Sequence, residues 1–384
     1  LNKKAISYRY ITDFNLLQEE ASSLEKERVI GVDLESDSLF HYREKVCLLQ
    51  ISTINKNLLI DTLAVKDISP LAPLFSNSSI RKILHGSDYD IRSLYRDFGI
   101  EVSSLFDTQI AARLLGAGET GLANLLKLYF DVELEKKYQK RDWSKRPLPE
   151  EMLTYGVYDT LYLIPLSNKL EEELTIKGRI KWLIEECDLL SRVRFSPGNE
   201  EPLYMKFKGA KRLAPRNLAA LEAILRLREE VAMEKDRPAF KVLSNDQVLK
   251  LAEKMPVNRN DLDSLSEMQV KNMGSDILGK ISEIMRMPES DLPVYPKNGA
   301  RGIETEFRKE IGLIKEWRNR KAERLELEPS VLCTNSQIQL LVQIDPSDIF
   351  TLSGQSILKN WQMELFGDEL CQMLKEIHKT RLSE

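Results

Sequence analysis

Three short apolar runs in close succession constrain this chain more than any other feature: "RVIGVDLE" from Arg28, then "KVCLLQIST" and "NLLID". Each is rich in β-branched or aliphatic residues and is broken off by polar turn residues, which is the pattern of consecutive strands. A fourth run, "RKILHG", leads into "DYDIRSLYRDFGI", where Ile91, Leu94, Tyr95 and Phe98 recur at helical spacing until Gly99 stops them. Beyond Asp107 the pattern turns helical, through "TQIAARLLGAG", "GLANLLKLYF" and a long segment from about Glu150 to Lys177. The first part of the chain therefore reads as an α/β domain, a mixed sheet flanked by helices, that ends near Phe195.

The stretch "FSPGNEEPLY", with Pro197, Gly198 and Pro202, has linker composition, and little after it reads as strand. The helical half carries a weak internal repeat at an offset of about 90 residues, longer than solenoid periods and so better read as a duplicated small domain. Arg228 matches Arg318 and Ala232 matches Ala322. Ser244-Asn245 matches Thr334-Asn335, and Gln247 matches Gln337. Each polar pair opens an apolar-periodic helix at a cap, and "LPVYPKNGARG" reads as the linker between copies. For 384 residues, two or three domains are expected. The expected boundaries are 1–200, 201–294 and 295–384, the last two all-α.

The formal net charge of −4 argues against a protein coated in positive potential, but phosphate binding depends on where Lys and Arg cluster. The four cysteines, Cys47, Cys187, Cys333 and Cys371, are too far apart for a Cys-x-x-Cys metal pattern or a secreted disulfide framework, so a reducing cytoplasm is expected. No apolar run approaches the ~20 residues of a membrane span, and the start at Leu1 lacks the features of a secretory signal.

The carboxylates carry the chemistry. Asp33 and Glu35 lie two apart in the first strand, so alternation projects both from one face and two hard oxygen ligands converge. The bland alternative is an acidic pair that merely ends a strand at the surface. Tyr155 and Asp159, in "MLTYGVYDTLYL", are four apart on a predicted helix, which stacks a phenol beside a carboxylate. Structural tyrosines on helices are commoner. Asp90 is either a ligand or a helix-start residue favoured by the dipole. Asp61 and Asp107 end apolar runs, where turn or cap roles fit. His41, His85 and His378 lack zinc-ligand spacing, and His85, just after a strand, reads as a hydrogen-bonded structural histidine.

Taken in this order, with the downstream "YQKRDWSKRPLP", these segments resemble the DEDDy exonuclease superfamily and specifically the ribonuclease D family. "CLLQIST", "LLIDTL", "LFDTQIAARLLG" and "GLANLLKLYF" follow the family's catalytic-domain pattern, and the duplicated helical part resembles HRDC domains. The resemblance implies a ribonuclease H-like exonuclease domain followed by two HRDC domains. It implies a site of four acids and a tyrosine, Asp33, Glu35, Asp90, Asp159 and Tyr155. His85 and Ile91 select Asp90 over Asp88, because the family places this acid five residues after the His and just before an aliphatic residue.

On the family mechanism, two divalent ions, Mg²⁺ or Mn²⁺, serve phosphodiester hydrolysis that releases nucleoside 5′-monophosphates from RNA 3′ ends. Asp33 would bridge both ions, Glu35 and Asp159 would hold the nucleophile side, Asp90 would support the leaving-group side, and Tyr155 would orient the attacking water. The implied substrates are tRNA precursors and other small structured RNAs, with neither a membrane nor an obligate protein partner.

Two basic stretches suit phosphate. "KKYQKRDWSKR" supplies Lys140, Arg141, Lys145 and Arg146 with Trp143 interleaved for base stacking, while "LYMKFKGAKRLAPR" supplies Lys206, Lys208, Lys211, Arg212 and Arg216. A solvated charged loop accounts equally for the first, with Trp143 as a core anchor. Two rival functions stand beside the exoribonuclease. A DNA-directed 3′→5′ exonuclease would use the same metal core, and the reader of the 2′-hydroxyl cannot be seen in sequence. A catalytically silent RNA-binding protein would tolerate loss of the ligands, which are all present here.

Overall fold

The computed structural model describes residues 6–196, 201–264, 272–296, 306–343 and 356–383, together with Leu352 and Gly354. Pro197, Gly198 and residues 297–302 of the two expected linkers lie outside them. The chain divides into two compact units. One comprises Leu1–Ser36, Val46–Phe195 and Asn298–Glu384, the other Asp37–Lys45 and Ser196–Lys297.

The first unit is built on a six-stranded mixed sheet. Its strands are β1 (Arg9–Ile11), β2 (Val29–Ser36), β3 (Val46–Ser52), β4 (Asn57–Ile60), β5 (Arg81–Leu84) and β6 (Leu105–Asp107), in the order β1-β4-β3-β2-β5-β6. The three runs of the sequence form the antiparallel meander β2-β3-β4, while β5 lies parallel to β2 and β6 parallel to β5. The even-numbered residues of β2, Ile30, Val32 and Leu34, enter a core with Leu49, Ile51 and residues of α1 (Phe14–Leu24) such as Leu17 and Leu24. Two short helices, α2 (Thr62–Val65) and α3 (Ala72–Ser76), follow β4. Helix α4 (Asp88–Phe98) leaves the end of β5 and stops where Gly99 takes a left-handed φ of 64°.

Helices α5 (Thr108–Leu115) and α6 (Leu122–Phe130) come next. The long predicted helix is in fact two, α7 (Glu150–Leu161) and α8 (Leu163–Ile176), separated at Tyr162. Pro165 explains the break: it has no N–H to give the Leu161 carbonyl four residues back, and its ring crowds that oxygen. Helix α7 covers the opposite sheet face, where Met152, Leu153, Tyr155 and Val157 pack with Leu48 and Leu59. Gly31 permits this close approach, since a Cβ there would stand 3.0 Å from the Thr160 carbonyl oxygen.

Helix α9 (Ile180–Ser191) joins the C-terminal helices to the same unit. Trp182 stacks on Trp361 with centroids 4.6 Å apart. The Glu185 carboxylate accepts from the backbone of Asn360 and Trp361 at 2.7 and 2.9 Å, and Glu186 accepts from the Trp361 indole at 2.9 Å. Arg179 bridges the carbonyls of Leu114 (2.8 Å) and Leu325 (2.6 Å).

The second unit packs α10 (Pro215–Glu234), α11 (Ala239–Val242), α12 (Asn245–Lys254) and the helix Gly274–Arg286 around Leu221, Ile224, Val248, Ile277 and Ile281. Its segment Asp37–Lys45 is tied on by Asp236, which accepts from Tyr42 N at 3.1 Å and lies 2.7 Å from His41 Nδ1. The repeat seen in the sequence is carried by identical bonding. Arg228 donates to the Leu243 carbonyl and Asn245 Oδ1, Arg318 to the Cys333 carbonyl and Asn335 Oδ1. Ser244 with Gln247 and Thr334 with Gln337 both form capping boxes. Among the described residues no helix is long and apolar enough to cross a membrane.

Candidate active site

The topology brings the candidate residues to one edge of the sheet. Because β2 and β5 run parallel, their C-terminal ends coincide, and that is where Asp33 and Glu35, the turn His85–Ser87 and the first turn of α4 all lie. Asp33 pairs across the ladder with Gln50 and Glu35 with Leu48, so both carboxylates share the face covered by α7. Helix α7 places Tyr155 and Asp159 on that face, and the register slips between Glu35 and Ser36. Asp33, Glu35 and Asp159 each offer a carboxylate oxygen within 4.8 Å of the others.

Asp90, on α4, feels the charge of Asp33 but is not one of the three mutually close acids and does not line the cleft beside them. It is 7% exposed, whereas Asp88 is exposed and ion-paired with Arg92 at 2.9 Å. Tyr155 lies one helical turn before Asp159, so the phenol and the carboxylate fall on the same face of α7. Four of the five residues, together with His85, line a cleft of about 400 Å³, a size common for small-molecule sites. Its remaining wall includes Asn124 from α6 and Gln139, neither of which the sequence had marked.

The electrostatics of the cleft are those of uncompensated negative charge. Burial pushes the Asp33 carboxyl up to about 7. Burial, and then the neighbouring acids, hold Glu35, Asp90 and Asp159 well above the ordinary carboxylate range. The Tyr155 phenol is raised by burial and by Asp159, Glu35 and Asp33, so it keeps its proton. None of the four acids has a salt bridge to Lys or Arg among the described residues. Beside Asp33, the Gln50 carboxamide is buried with neither atom hydrogen-bonded. Carboxylates left so close together without a cation suit a hard divalent ion, which takes oxygen ligands and cancels the repulsion.

The two caps expected from the sequence are present. Asp61 accepts from Leu63 N and Ala64 N, and Asp107 accepts from Gln109 N and Ile110 N.

Two residues expected at RNA do something else. Trp143 is 0% exposed and packs against Tyr155 at a centroid distance of 6.2 Å, so it has no surface to offer a base. Arg146 forks onto Asp61 at 2.6 and 2.7 Å and also donates to the Cys47 and Trp143 carbonyls. A buried carboxylate at Asp61, 1% exposed, claims that guanidinium before solvent or phosphate can. Lys140, Arg141 and Lys145 are exposed in the same loop. In the second unit Lys206, Lys208, Lys211 and Arg212 are exposed, with Lys211 over the Tyr295 ring. Arg216 instead donates to the carbonyls of Ile284, Met285 and Met287.

Comparison with known proteins matches residues 8–175 to the family described as 3'-5' exonuclease and residues 217–281 to the HRDC domain. The chain is 28% identical over 375 residues to ribonuclease D of Haemophilus influenzae, spanning 96% of this chain and 93% of that one. It is 30% identical over 291 residues to ribonuclease D of Serratia proteamaculans, spanning 75% and 78%. The crystal structure of Escherichia coli RNase D, an exoribonuclease involved in structured RNA processing, superposes with a TM-score of 0.75 at 26% identity and covers 97% of this chain and 99% of that one.

Proposed function

The chain belongs to the ribonuclease D family of 3′→5′ exoribonucleases, and from that premise we propose how its cleft acts, on what, and with which ions. Asp33, Glu35, Asp90 and Asp159 would hold two divalent cations, Mg²⁺ or Mn²⁺. Such ions supply a Lewis acid and a means of deprotonating water near neutral pH. Asp33, whose charge reaches each of the other three acids, would be the ligand common to both ions. Glu35 and Asp159 would serve the attacking side, and Asp90 would support the leaving side. Tyr155 keeps its phenolic proton and fixes the orientation of the incoming water, its ring held by packing against Tyr138 and Trp143. The product is a nucleoside 5′-monophosphate, released stepwise from the 3′ end.

The substrates are tRNA precursors and other small structured RNAs with accessible 3′ ends, and the enzyme works in the cytoplasm. Residues 1–200 form the exonuclease module, 201–294 the first HRDC module and 295–384 a second, with the bonding shared by Arg228 and Arg318 supporting the duplication. Lys140, Arg141 and Lys145, and separately Lys206, Lys208, Lys211 and Arg212, contact the RNA backbone, each phosphate contact adding salt dependence.

The observation that carries this reading is three carboxylates within 4.8 Å of one another, without a cation partner, in a cleft that also holds a protonated tyrosine. Its test is the shortening of 5′-labelled RNA in Mg²⁺, Mn²⁺ and EDTA. Stepwise loss from the 3′ end with either metal and none in EDTA is expected. Asp33→Ala should fold and bind RNA while losing turnover; comparable activity in that variant overturns the ligand assignment.

A further inference from the structure

His85 is the imidazole in the wall of the cleft that holds Asp33, Glu35, Tyr155 and Asp159, and its protonation pattern follows from its neighbours. Thr108 Oγ1 donates to the Leu84 carbonyl at 3.0 Å and lies 2.9 Å from His85 Nδ1. A hydroxyl has a single proton, so toward the imidazole Thr108 can only accept, and Nδ1 carries the hydrogen. Burial holds the ring below the ordinary histidine range, which keeps it neutral near pH 7. A neutral imidazole with hydrogen on Nδ1 presents a bare lone pair at Nε2.

The ring sits on a fixed turn. Asp107 accepts from Gly86 N at 3.1 Å, from Ser87 N at 2.7 Å and from Ser87 Oγ at 2.8 Å, while also capping α5. Gly86 adopts a φ of 67°, open to glycine but strained for other residues. An acceptor held this way in the cleft repels phosphate oxygens, which are acceptors too, and requires an O–H or N–H donor. In a terminal ribonucleotide the donor that DNA lacks is the 2′-hydroxyl.

We propose that His85 Nε2 accepts a hydrogen bond from the 2′-hydroxyl of the 3′-terminal ribonucleotide, which makes His85 a determinant of RNA over DNA. The assignment rests on the exoribonuclease reading of the cleft. Thr108 acts through His85 as a positioning residue, because it fixes the tautomer.

The test measures binding of AMP and dAMP to the full chain by calorimetry in Mg²⁺, together with single-turnover removal of one terminal nucleotide from RNA ending in a ribo- or a 2′-deoxyribonucleotide. The wild type should prefer AMP, and the ribo end, by about tenfold, the value of one neutral hydrogen bond. His85→Phe keeps a ring without the acceptor and should bind AMP only as well as dAMP, so that the ribo-to-deoxy ratio falls to about one. His85→Gln retains an acceptor and should keep part of the preference, which guards against misreading a folding defect in the phenylalanine variant. Equal losses on both sugars would place His85 at the 3′-hydroxyl or in the chemistry and overturn the proposal. So would unchanged discrimination in His85→Phe, or a wild type that binds AMP and dAMP alike. A wild type that discriminates AMP from dAMP yet never shortens RNA would sink the exoribonuclease reading while leaving the role of His85 standing.

Discussion

Asp33→Asn changes the charge of the cleft and almost nothing of its shape. With its pKa raised from 3.8 to about 7, the Asp33 carboxyl opposes folding once it ionises. The folded state binds the extra proton between those two values, so stability falls as pH rises through that window and the full cost is present above pH 7. The displacement corresponds to about 4 kcal/mol, and solvent at the mouth of the cleft reduces the realised cost to about 1–3 kcal/mol. In metal-free buffer at pH 8 the asparagine variant should therefore melt above the wild type, by about 2–4 °C for each kcal/mol gained. At pH 5, about one unit above the ordinary value, the difference should shrink to about two fifths, and it should vanish only below pH 3.8. Magnesium reverses the order, because an ion at a hundredfold excess over its dissociation constant adds about 2.7 kcal/mol to the protein that holds it. Thermal melts at pH 5 and 8, with EDTA or MgCl₂, read all of this. An asparagine variant no more stable than the wild type in EDTA at pH 8, and stabilised by Mg²⁺ to the same degree, would refute the reasoning.

Three other substitutions probe the scaffold. Gly31→Ala puts a Cβ 3.0 Å from the Thr160 carbonyl, beside Asp159, and should cost about 1–3 kcal/mol in denaturant melts and lower the exonuclease rate; an unaffected rate would detach Gly31 from the site. Arg146→Ala strands the buried Asp61 charge and should lose about 3–5 kcal/mol of stability while RNA affinity, measured by anisotropy on protein that remains folded, is retained. Lys82, fully buried and brought down to about 8 by burial, makes the unfolded chain the better proton binder from pH 8 to its ordinary 10.5. Stability should rise with pH across that window, and Lys82→Met should flatten the slope in urea titrations.

The chemistry-bearing residues were legible wherever a local period decided the geometry. Two-residue alternation put Asp33 and Glu35 on one face, and a four-residue helical step put Asp159 behind Tyr155. What sequence left open depends on contacts between distant segments. Trp143 in a basic loop serves equally well as a base-stacking platform or a core anchor until the burial around Tyr155 decides it. Arg146 looked like a phosphate ligand because Asp61, 85 residues earlier, gave no sign of needing it. Strands β1 and β6, three residues each, are too short to show a period. The attachment of the C-terminal helices to α9 turns on Trp182 and Trp361, whose partnership no spacing announces.

The central claim is that the acids of this cleft hold divalent ions, and anomalous scattering from crystals soaked in Mn²⁺ tests it most directly. The account predicts two manganese peaks in contact with Asp33, with Glu35 and Asp159 ligating one of them, and their loss in Asp33→Asn crystals. Manganese bound elsewhere while these carboxylates stay bare would contradict it.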